Sequence, residues 1–228
     1  MKRGDDVDDT DRRRFLARLA AGATACLAAE SVFATVSSMA ASPMDSPTPS
    51  VLPAGRAILG ATGIETAFVA QGTGSGGWNR TSEQVKLGDR GFERLIRHGL
   101  ERGQNFIDTA DLYGSHGATR KALAGVPRGD YTLLTKLWPE PASWCTPSGG
   151  AKPEIDRFRK ELGTDHLDVV LIHCVGTSNW ASRYARVRDE LWALKSAGMI
   201  RAVGVSCHDL GALQAAASDP WTEVILAR

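Results

Sequence analysis

From residue 54 onward the chain alternates short apolar runs with segments of helical periodicity, and this alternation limits its possible folds more than any other feature. The apolar runs predict strands over residues 67–71, 105–110, 131–138, 167–175, 200–207 and 221–227. Helices are predicted between them, over residues 82–102, 115–124, 152–162, 184–194 and 210–217. Strands and helices in strict alternation predict a parallel β-sheet, either open or closed into a barrel.

The number of repeats falls short of a complete barrel. A (β/α)8 barrel has eight strands in about 250 residues, whereas residues 54–228 hold about six β/α repeats. We therefore expect an α/β fold of the (β/α)8 TIM-barrel type that is incomplete and truncated at its C-terminus. Such an open barrel would expose the edges of its first and last strands.

The first 40 residues differ in kind from the rest. Arg12–Arg14 and Phe15–Leu16 precede a run of Ala, Leu, Gly, Thr and Val. A basic region before a moderately apolar run is typical of an export signal, and this one resembles the twin-arginine type. We predict a signal peptide over residues 1–40, cleaved after Ala40. An amphipathic N-terminal helix is the alternative.

Export by the twin-arginine machinery predicts a periplasmic or exported protein. Residues 41–53 are rich in Pro and Ser and predict a flexible linker before the domain at residues 54–228. A minor alternative is a membrane-anchored lipoprotein attached through Cys26, because Ala23–Cys26 faintly resembles a lipobox.

Composition excludes some kinds of partner and site. Lys and Arg total 27 against 26 Asp and Glu, so the charge balance predicts no nucleic-acid partner. Beyond the predicted signal, Cys145, Cys174 and Cys207 are odd in number and do not indicate a disulfide framework. Their spacing contains no metal-type pair, and we expect no metal site. The sequence does not indicate an oligomeric state.

Four chemically capable side chains lie at the ends of predicted strands. Asp108 lies near the end of the strand at residues 105–110, and Tyr113 follows in a Gly-flanked turn. Lys136 and His173 lie at the ends of the next two strands. Since the C-terminal ends of parallel barrel strands form one mouth, we expect these four residues to converge there.

This order of residues resembles the aldo-keto reductase family over most of residues 54–228. Asp108-Thr109-Ala110 with Tyr113-Gly114 is the most specific match, and Lys136 and His173 complete the family's four catalytic residues. The resemblance implies hydride transfer between NADPH and an aldehyde, ketone or sugar-like substrate, with NADH also possible. Tyr113 would donate the proton, and Lys136 and Asp108 would assist it. His173 would orient the carbonyl oxygen by hydrogen bonding or help to relay the proton.

The same resemblance implies candidate cofactor contacts. Gly72 and Thr73 correspond to the loop after the family's first strand. Ser206 and Cys207 end a strand that usually contacts the nicotinamide carboxamide, although many family members have asparagine where this chain has Cys207. A catalytically silent, exported binding domain derived from the barrel is the alternative.

A competing interpretation starts from Gly72–Gly77, which fits the dinucleotide fingerprint G-x-G-x-x-G of Rossmann folds. That fingerprint opens directly into a helix, whereas four residues intervene here before the predicted one. Asp108 is also farther from Gly77 than the usual acidic residue. We therefore favour a glycine-rich loop above a strand end.

Three further sets of residues receive simpler interpretations. We expect His116 to lie in a surface loop, and Arg157, Arg159 and Lys160 to form the solvated face of a helix. The tryptophans beyond strand ends either line a substrate pocket or pack in the core or at its rim; they are Trp138, Trp144 and Trp180.

Overall fold

The computed structural model describes residues 55–142 and 150–227. The predicted signal peptide, the linker before Ala54 and Cys26 lie outside the described residues. In the described part, an antiparallel hairpin precedes a six-stranded parallel sheet with strand order β3-β4-β5-β6-β7-β8. The hairpin consists of β1 (Arg56–Ile58) and β2 (Glu65–Ala67). The sheet consists of β3 (Ala70–Gly72), β4 (Phe106–Asp108), β5 (Thr132–Leu137), β6 (Leu167–Val175), β7 (Ile200–Cys207) and β8 (Val224–Ala227).

Helices connect consecutive strands of this sheet. They are α1 (Glu83–Lys86), α2 (Gly88–Leu100), α3 (His116–Ala122), α4 (Ala151–Leu162), α5 (Trp180–Arg183), α6 (Ala185–Ser196) and α7 (Leu210–Ser218). Short 3-10 helices span Asp111–Tyr113 and Arg128–Asp130. Within the described ranges, no helix has the length and apolar character that crossing a bilayer requires.

Every pair of neighbouring strands in the sheet is parallel and follows chain order, which confirms the predicted incomplete (β/α)8 barrel. Alternate side chains along each strand project to opposite faces of the sheet. Ile172 and Val170 of β6 join the core beneath helices α4 to α7. Val169 and Leu171 pack on the other face with Ile64 of the hairpin. Catalytically capable residues at strand ends therefore project from this second, inner face.

The predicted first strand, residues 67–71, is wrong in its extent. Ala67 belongs to β2, where it pairs with Arg56, and its backbone N–H donates to Asn105 Oδ1 at 2.9 Å. Phe68 and Val69 lie between the strands and are 73% and 56% exposed. The apolar run spans the end of a hairpin and the start of the sheet, and its periodicity does not separate two such short strands.

The predicted helix over residues 82–102 is interrupted. Ser82 caps α1 by accepting a hydrogen bond from the Val85 N–H, and α1 ends after Lys86. Gly88 then adopts a φ of +68°, which other residues rarely adopt. The chain restarts as α2, and Phe92 and Ile96 are fully buried on its inner side. The remaining predicted elements agree with the structure apart from shifts at their ends.

Candidate active site

Asp108 and Lys136 form a buried ion pair at the ends of neighbouring strands. Both project from the inner face, because Asp108 pairs in register with Leu134 and Lys136 lies two residues further along β5. The Lys136 ammonium contacts Asp108 Oδ1 and also donates to the Thr109 carbonyl at 3.1 Å. Burial raises the pKa of Asp108 and lowers that of Lys136, and the ion pair opposes both changes.

Tyr113 and His173 complete this cluster. The Tyr113 ring centre lies 4.8 Å from Lys136 Nζ. The rings of Tyr113 and His173 meet edge to face with centroids 5.5 Å apart. Lys136 and His173 are 1% and 3% exposed. The structure thus brings all four predicted catalytic residues together at one end of the sheet.

The glycine-rich loop packs against Tyr113. A Cβ atom on Gly74 would lie 2.3 Å from the Tyr113 ring, and one on Gly77 would lie 2.4 Å from it. Neither distance is possible without displacement of the ring or of the loop, since real Cβ atoms do not approach so closely. The loop does not open a helix at Gly77, because α1 begins at Glu83. These glycines allow close packing on the phenol ring.

Gly72 and Thr73 lie beside Asp108. Gly72 pairs with Asp108 across β3 and β4. The Thr73 N–H and hydroxyl both donate to the Asp108 carbonyl, at 3.0 and 2.8 Å. The Thr73 hydroxyl also lies 2.8 Å from that of Ser115. Thr73 therefore holds the backbone that carries the Asp108 carboxylate, and the Thr73 hydroxyl is hydrogen-bonded inside the protein.

Ser206 and Cys207 face opposite sides of β7. The Ser206 hydroxyl is buried and accepts a hydrogen bond of 2.9 Å from the Cys174 N–H, and its own hydrogen has no acceptor among the described residues. Cys207 is 1% exposed and packs in the helix-facing core with Ala212 and Ala216. The structure therefore brings Ser206 to the site and directs the Cys207 thiol away from it.

A network of ion pairs lies behind the turn that carries Tyr113. Asp111, two residues before Tyr113, is 1% exposed. Its carboxylate accepts a hydrogen bond of 2.9 Å from Arg80. It also accepts hydrogen bonds of 3.0 and 2.8 Å from the two terminal nitrogens of Arg157. The expected solvated face of α4 is thus wrong at Arg157, because that residue also binds Glu154 and Glu161. Sequence reasoning missed Asp111, although the i, i+4 spacing of Arg157 and Glu161 indicates a pair.

His116 belongs to the same network, and its expected place in a surface loop is wrong. It begins α3, is 1% exposed and packs against Phe158. Its ring nitrogens lie 2.8 Å from Glu161 Oε2 and 2.8 Å from Thr135 Oγ1. Burial would raise the pKa of Glu161, but hydrogen bonds from His116 and Arg157 outweigh it and lower the pKa to about 2.

The potential ligand atoms of Asp111, His116 and Glu161 lie within 4.8 Å of one another. Arg80 and Arg157 already supply the positive charge that these carboxylates require. The arrangement is therefore an internal ion-pair network, and its donor set does not favour a cation.

The tryptophans have different places. Trp138 lies beside the cluster that contains His173, with its ring 5.8 Å from that of His173, and Trp78 meets Trp138 edge to face at 5.9 Å. These two rings extend the cluster toward solvent, since Trp78 is 60% exposed. Trp180 is fully buried in the helix-facing core. Trp144 lies outside the described residues.

Comparison with known proteins gives a consistent result. Residues 72–227 match the aldo/keto reductase family. The chain is 33% identical over 122 residues to an aldo-keto reductase of Mycolicibacterium smegmatis, a match that covers 53% of this chain and 41% of the relative. It is 31% identical over 113 residues to the methylglyoxal reductase DkgB of Salmonella typhi, covering 49% and 40% of the two chains.

Solved structures show the same fold. An aldo-keto reductase of Bombyx mori in complex with NADP superposes with a TM-score of 0.52 at 25% identity, covering 68% of this chain and 51% of that one. An aldo/keto reductase of Brucella melitensis superposes with a TM-score of 0.56 at 22% identity, covering 78% and 62%. The chain spans about two fifths of the length of the curated relatives it matches. With the parallel strands in barrel order and the match over residues 72–227, the chain belongs to the aldo/keto reductase family.

Proposed function

We propose that this chain carries the catalytic site of an NAD(P)H-dependent oxidoreductase that interconverts a small aldehyde or ketone and its alcohol. The observation that supports this most strongly is the convergence of Tyr113, Lys136, Asp108 and His173 on one inner face. The methylglyoxal reductase among its relatives supports a small carbonyl substrate, and sugar-like carbonyls belong to the same class.

Reduction of a carbonyl needs a proton for the oxygen that becomes an alkoxide. Tyr113 is the proposed donor, and a phenol with an ordinary pKa of about 10 needs help to act near neutral pH. The Lys136 ammonium, 4.8 Å from the ring centre, stabilises the phenolate that forms when the proton leaves. Asp108 keeps that ammonium charged and in place, and His173 supplies a hydrogen bond to the carbonyl oxygen.

The cofactor that supplies the hydride is proposed to be NADPH, with NADH as the alternative. Ser206 fits a nicotinamide carboxamide, because its hydroxyl hydrogen remains available on the inner face. Gly72 is compatible with close approach of a ligand, since a Cβ there would meet nothing within 4 Å. Thr73 supports the site by hydrogen bonding to the Asp108 backbone. Cys207 supports it by packing in the core at the end of β7.

The test measures nucleotide binding and turnover by the full chain. We expect NADPH fluorescence to change on binding, and NADPH to be consumed with methylglyoxal or with a panel of small aldehydes, ketones and sugars. NADH in parallel decides between the two cofactors. A folded chain that binds neither nucleotide would contradict the proposal and support the silent binding domain.

We also propose that the protein is exported by the twin-arginine route, on the basis of Arg12–Arg14 and the apolar run that follows. Fractionation of cells expressing the full chain tests this. We expect a processed species in the periplasmic or extracellular fraction, and retention of the precursor when Arg13 and Arg14 are both replaced by Lys. A processed species that stays with the membrane and is lost in Cys26→Ser would support the lipoprotein alternative.

A further inference from the structure

A cysteine and a histidine that the proposed hydride transfer does not use lie next to the catalytic cluster. Cys174 directly follows His173 at the end of β6, and its sulfur lies 3.6 Å from Nε2 of His208, just beyond β7. Because sulfur is larger than oxygen or nitrogen, this distance corresponds to a hydrogen bond. Cys174 is half-buried and His208 is exposed, so a reagent from solvent can reach the pair.

The backbone presents this thiol in an unusual way. Cys174 has a φ of +57°, a conformation that residues other than glycine rarely adopt. The register between β6 and β7 shifts between Ile172 and Val175, both of which pack in the helix-facing core. His173 and Cys174 of β6 therefore lie opposite the single residue Ser206 of β7, a local irregularity of the β-bulge kind, which redirects side chains at the rim of a sheet.

Two hydrogen bonds between the strands fix the pair. The Cys174 N–H donates to Ser206 Oγ at 2.9 Å, and the His208 N–H donates to the Val175 carbonyl at 2.9 Å. Strain of this kind persists only where the surroundings enforce it, and it concentrates at functional sites. The sulfur and the imidazole are thus held together before any ligand arrives.

The surroundings favour a reactive thiol. An imidazole within hydrogen-bond reach can take the thiol proton, which creates the nucleophilic thiolate. Burial lowers the pKa of Lys136. The Asp108 carboxylate, and to a smaller extent a thiolate at Cys174, raise it again. The positive charge of Lys136 therefore favours a negative sulfur at Cys174. By contrast, Cys207 is 1% exposed, and burial together with the nearby Asp209 carboxylate raises the pKa of its thiol.

We infer that Cys174 and His208 form a nucleophilic thiol–imidazole pair that captures α,β-unsaturated carbonyl compounds at the mouth of the barrel. The sulfur bonds to the β-carbon as the carbon–carbon π bond breaks. The proton taken by His208 is delivered to the α-carbon, so a thioether forms without an oxidant or reductant. The choice of a carbonyl electrophile rests on the proposed function, whereas the reactivity of the thiol does not.

The experiment compares rates of covalent labelling in the full chain by intact mass and peptide mapping. The probes are trans-2-hexenal, an α,β-unsaturated aldehyde, and iodoacetamide, which tests the thiol alone. We expect both to modify Cys174 at least about tenfold faster than Cys207, since one thiol has a base and the other is buried. Cys174→Ser should remove the fast phase.

His208→Gln should slow both reactions at least about tenfold at neutral pH, because it removes the proton acceptor. His98→Gln, at an exposed histidine of α2, is the matched control and should leave the rates unchanged. In the wild type, the rate should rise with pH through the titration of the pair, and this dependence should weaken in His208→Gln.

The outcomes separate this inference from the proposed function. Tyr113→Phe should abolish carbonyl reduction and leave iodoacetamide labelling fast. Rapid iodoacetamide labelling with slow hexenal labelling would overturn the carbonyl assignment. If Cys174 reacts no faster than Cys207, or if His208→Gln has no effect on either reagent, the reactive pair itself is refuted.

Discussion

At the scale of single residues, the candidate site depends on the electrostatic interactions of the Lys136 ammonium with the Asp108 carboxylate and the Tyr113 ring. Lys136 is 1% exposed, and a buried ammonium is costly without a partner. Asp108 supplies that partner, and the Tyr113 ring lies over the same ammonium. Each group therefore has a distinct expected consequence when it is replaced.

Tyr113→Phe removes the proposed proton donor and keeps the ring. We expect kcat for carbonyl reduction to fall by a factor of about 10² to 10⁴, the usual contribution of a positioned acid. Thermal unfolding should change little, because the ring still fills the space between Gly74 and Gly77. Steady-state kinetics and a melting curve measure the two effects. A kcat near that of the wild type would contradict the role assigned to Tyr113.

Lys136→Met removes the ammonium and leaves the Asp108 carboxylate without its ion-pair partner. We expect loss of turnover and destabilisation of about 3 kcal/mol, since removing one member of a buried pair leaves an uncompensated charge. The double variant Asp108→Asn/Lys136→Met should regain much of the stability without regaining turnover. Denaturant unfolding of both single variants and the double variant completes the thermodynamic cycle. Strictly additive losses of stability would contradict the coupling.

At the scale of elements, the glycine-rich loop and the turn at Asp111–Tyr113 act as one unit. The loop packs on the ring, and Gly114, with a φ of +63°, lets the turn approach the Arg80 carbonyl. A Cβ on Gly114 would lie 2.0 Å from that oxygen. The loop and the turn therefore fix where the phenol points.

Gly74→Ala tests the packing of this loop. The added methyl group would displace the Tyr113 ring, and misplacement of a reacting group by about 1 Å can cost about 100-fold in rate. We expect kcat to fall much more than the stability of the fold. Gly117→Ala is the matched control, because a Cβ at this position in α3 meets nothing within 4 Å. Equal kinetics in the two variants would show that the loop does not position Tyr113.

At the scale of the whole molecule, partly buried ion pairs join segments that are far apart in the chain. Arg80 follows the glycine-rich loop, Asp111 precedes Tyr113, and Arg157 and Glu161 belong to α4. His116 at the start of α3 extends the network to Thr135 of β5. Through these bonds, the stability of the fold depends on the charge state of the Glu161 carboxylate, which does not take part in the proposed chemistry.

This dependence predicts an effect of acid. The pKa of Glu161 is about 2 in the folded protein, below its ordinary value of 4.5. Glu161 therefore contributes stability that is present above about pH 4.5 and is lost as the pH falls toward about 2. We expect Glu161→Gln to lower the free energy of unfolding at neutral pH by about 2 kcal/mol and to flatten its decline in this window.

Chemical unfolding at a series of pH values measures this effect. Glu93→Gln is the control, since Glu93 is half-exposed and its contact with Arg97 measures 4.0 Å. Its stability curve should follow that of the wild type, because exposed pairs contribute little. Parallel curves for Glu161→Gln and the wild type throughout the acidic range would contradict the assignment.

The sequence by itself determined the α/β class, the order of the six parallel strands and the placement of Asp108, Lys136 and His173 at strand ends. These features follow from the alternation of short apolar runs with segments of helical periodicity, a pattern that is visible within windows of neighbouring residues. The local sequence pattern did not predict the boundaries between short elements that follow one another directly. Residues 67–71 span a hairpin and a strand, and Gly88 ends one helix and begins another.

Only the tertiary structure decided which polar residues are buried and what they contact. Arg157 and His116 have the local appearance of surface residues, yet both bind partners that lie more than 40 positions away along the chain. The tertiary structure also decided that Cys207 faces the core and that the Cys174 sulfur contacts His208. Burial and charge pairing depend on contacts across the whole sheet, and no window of neighbouring residues contains them.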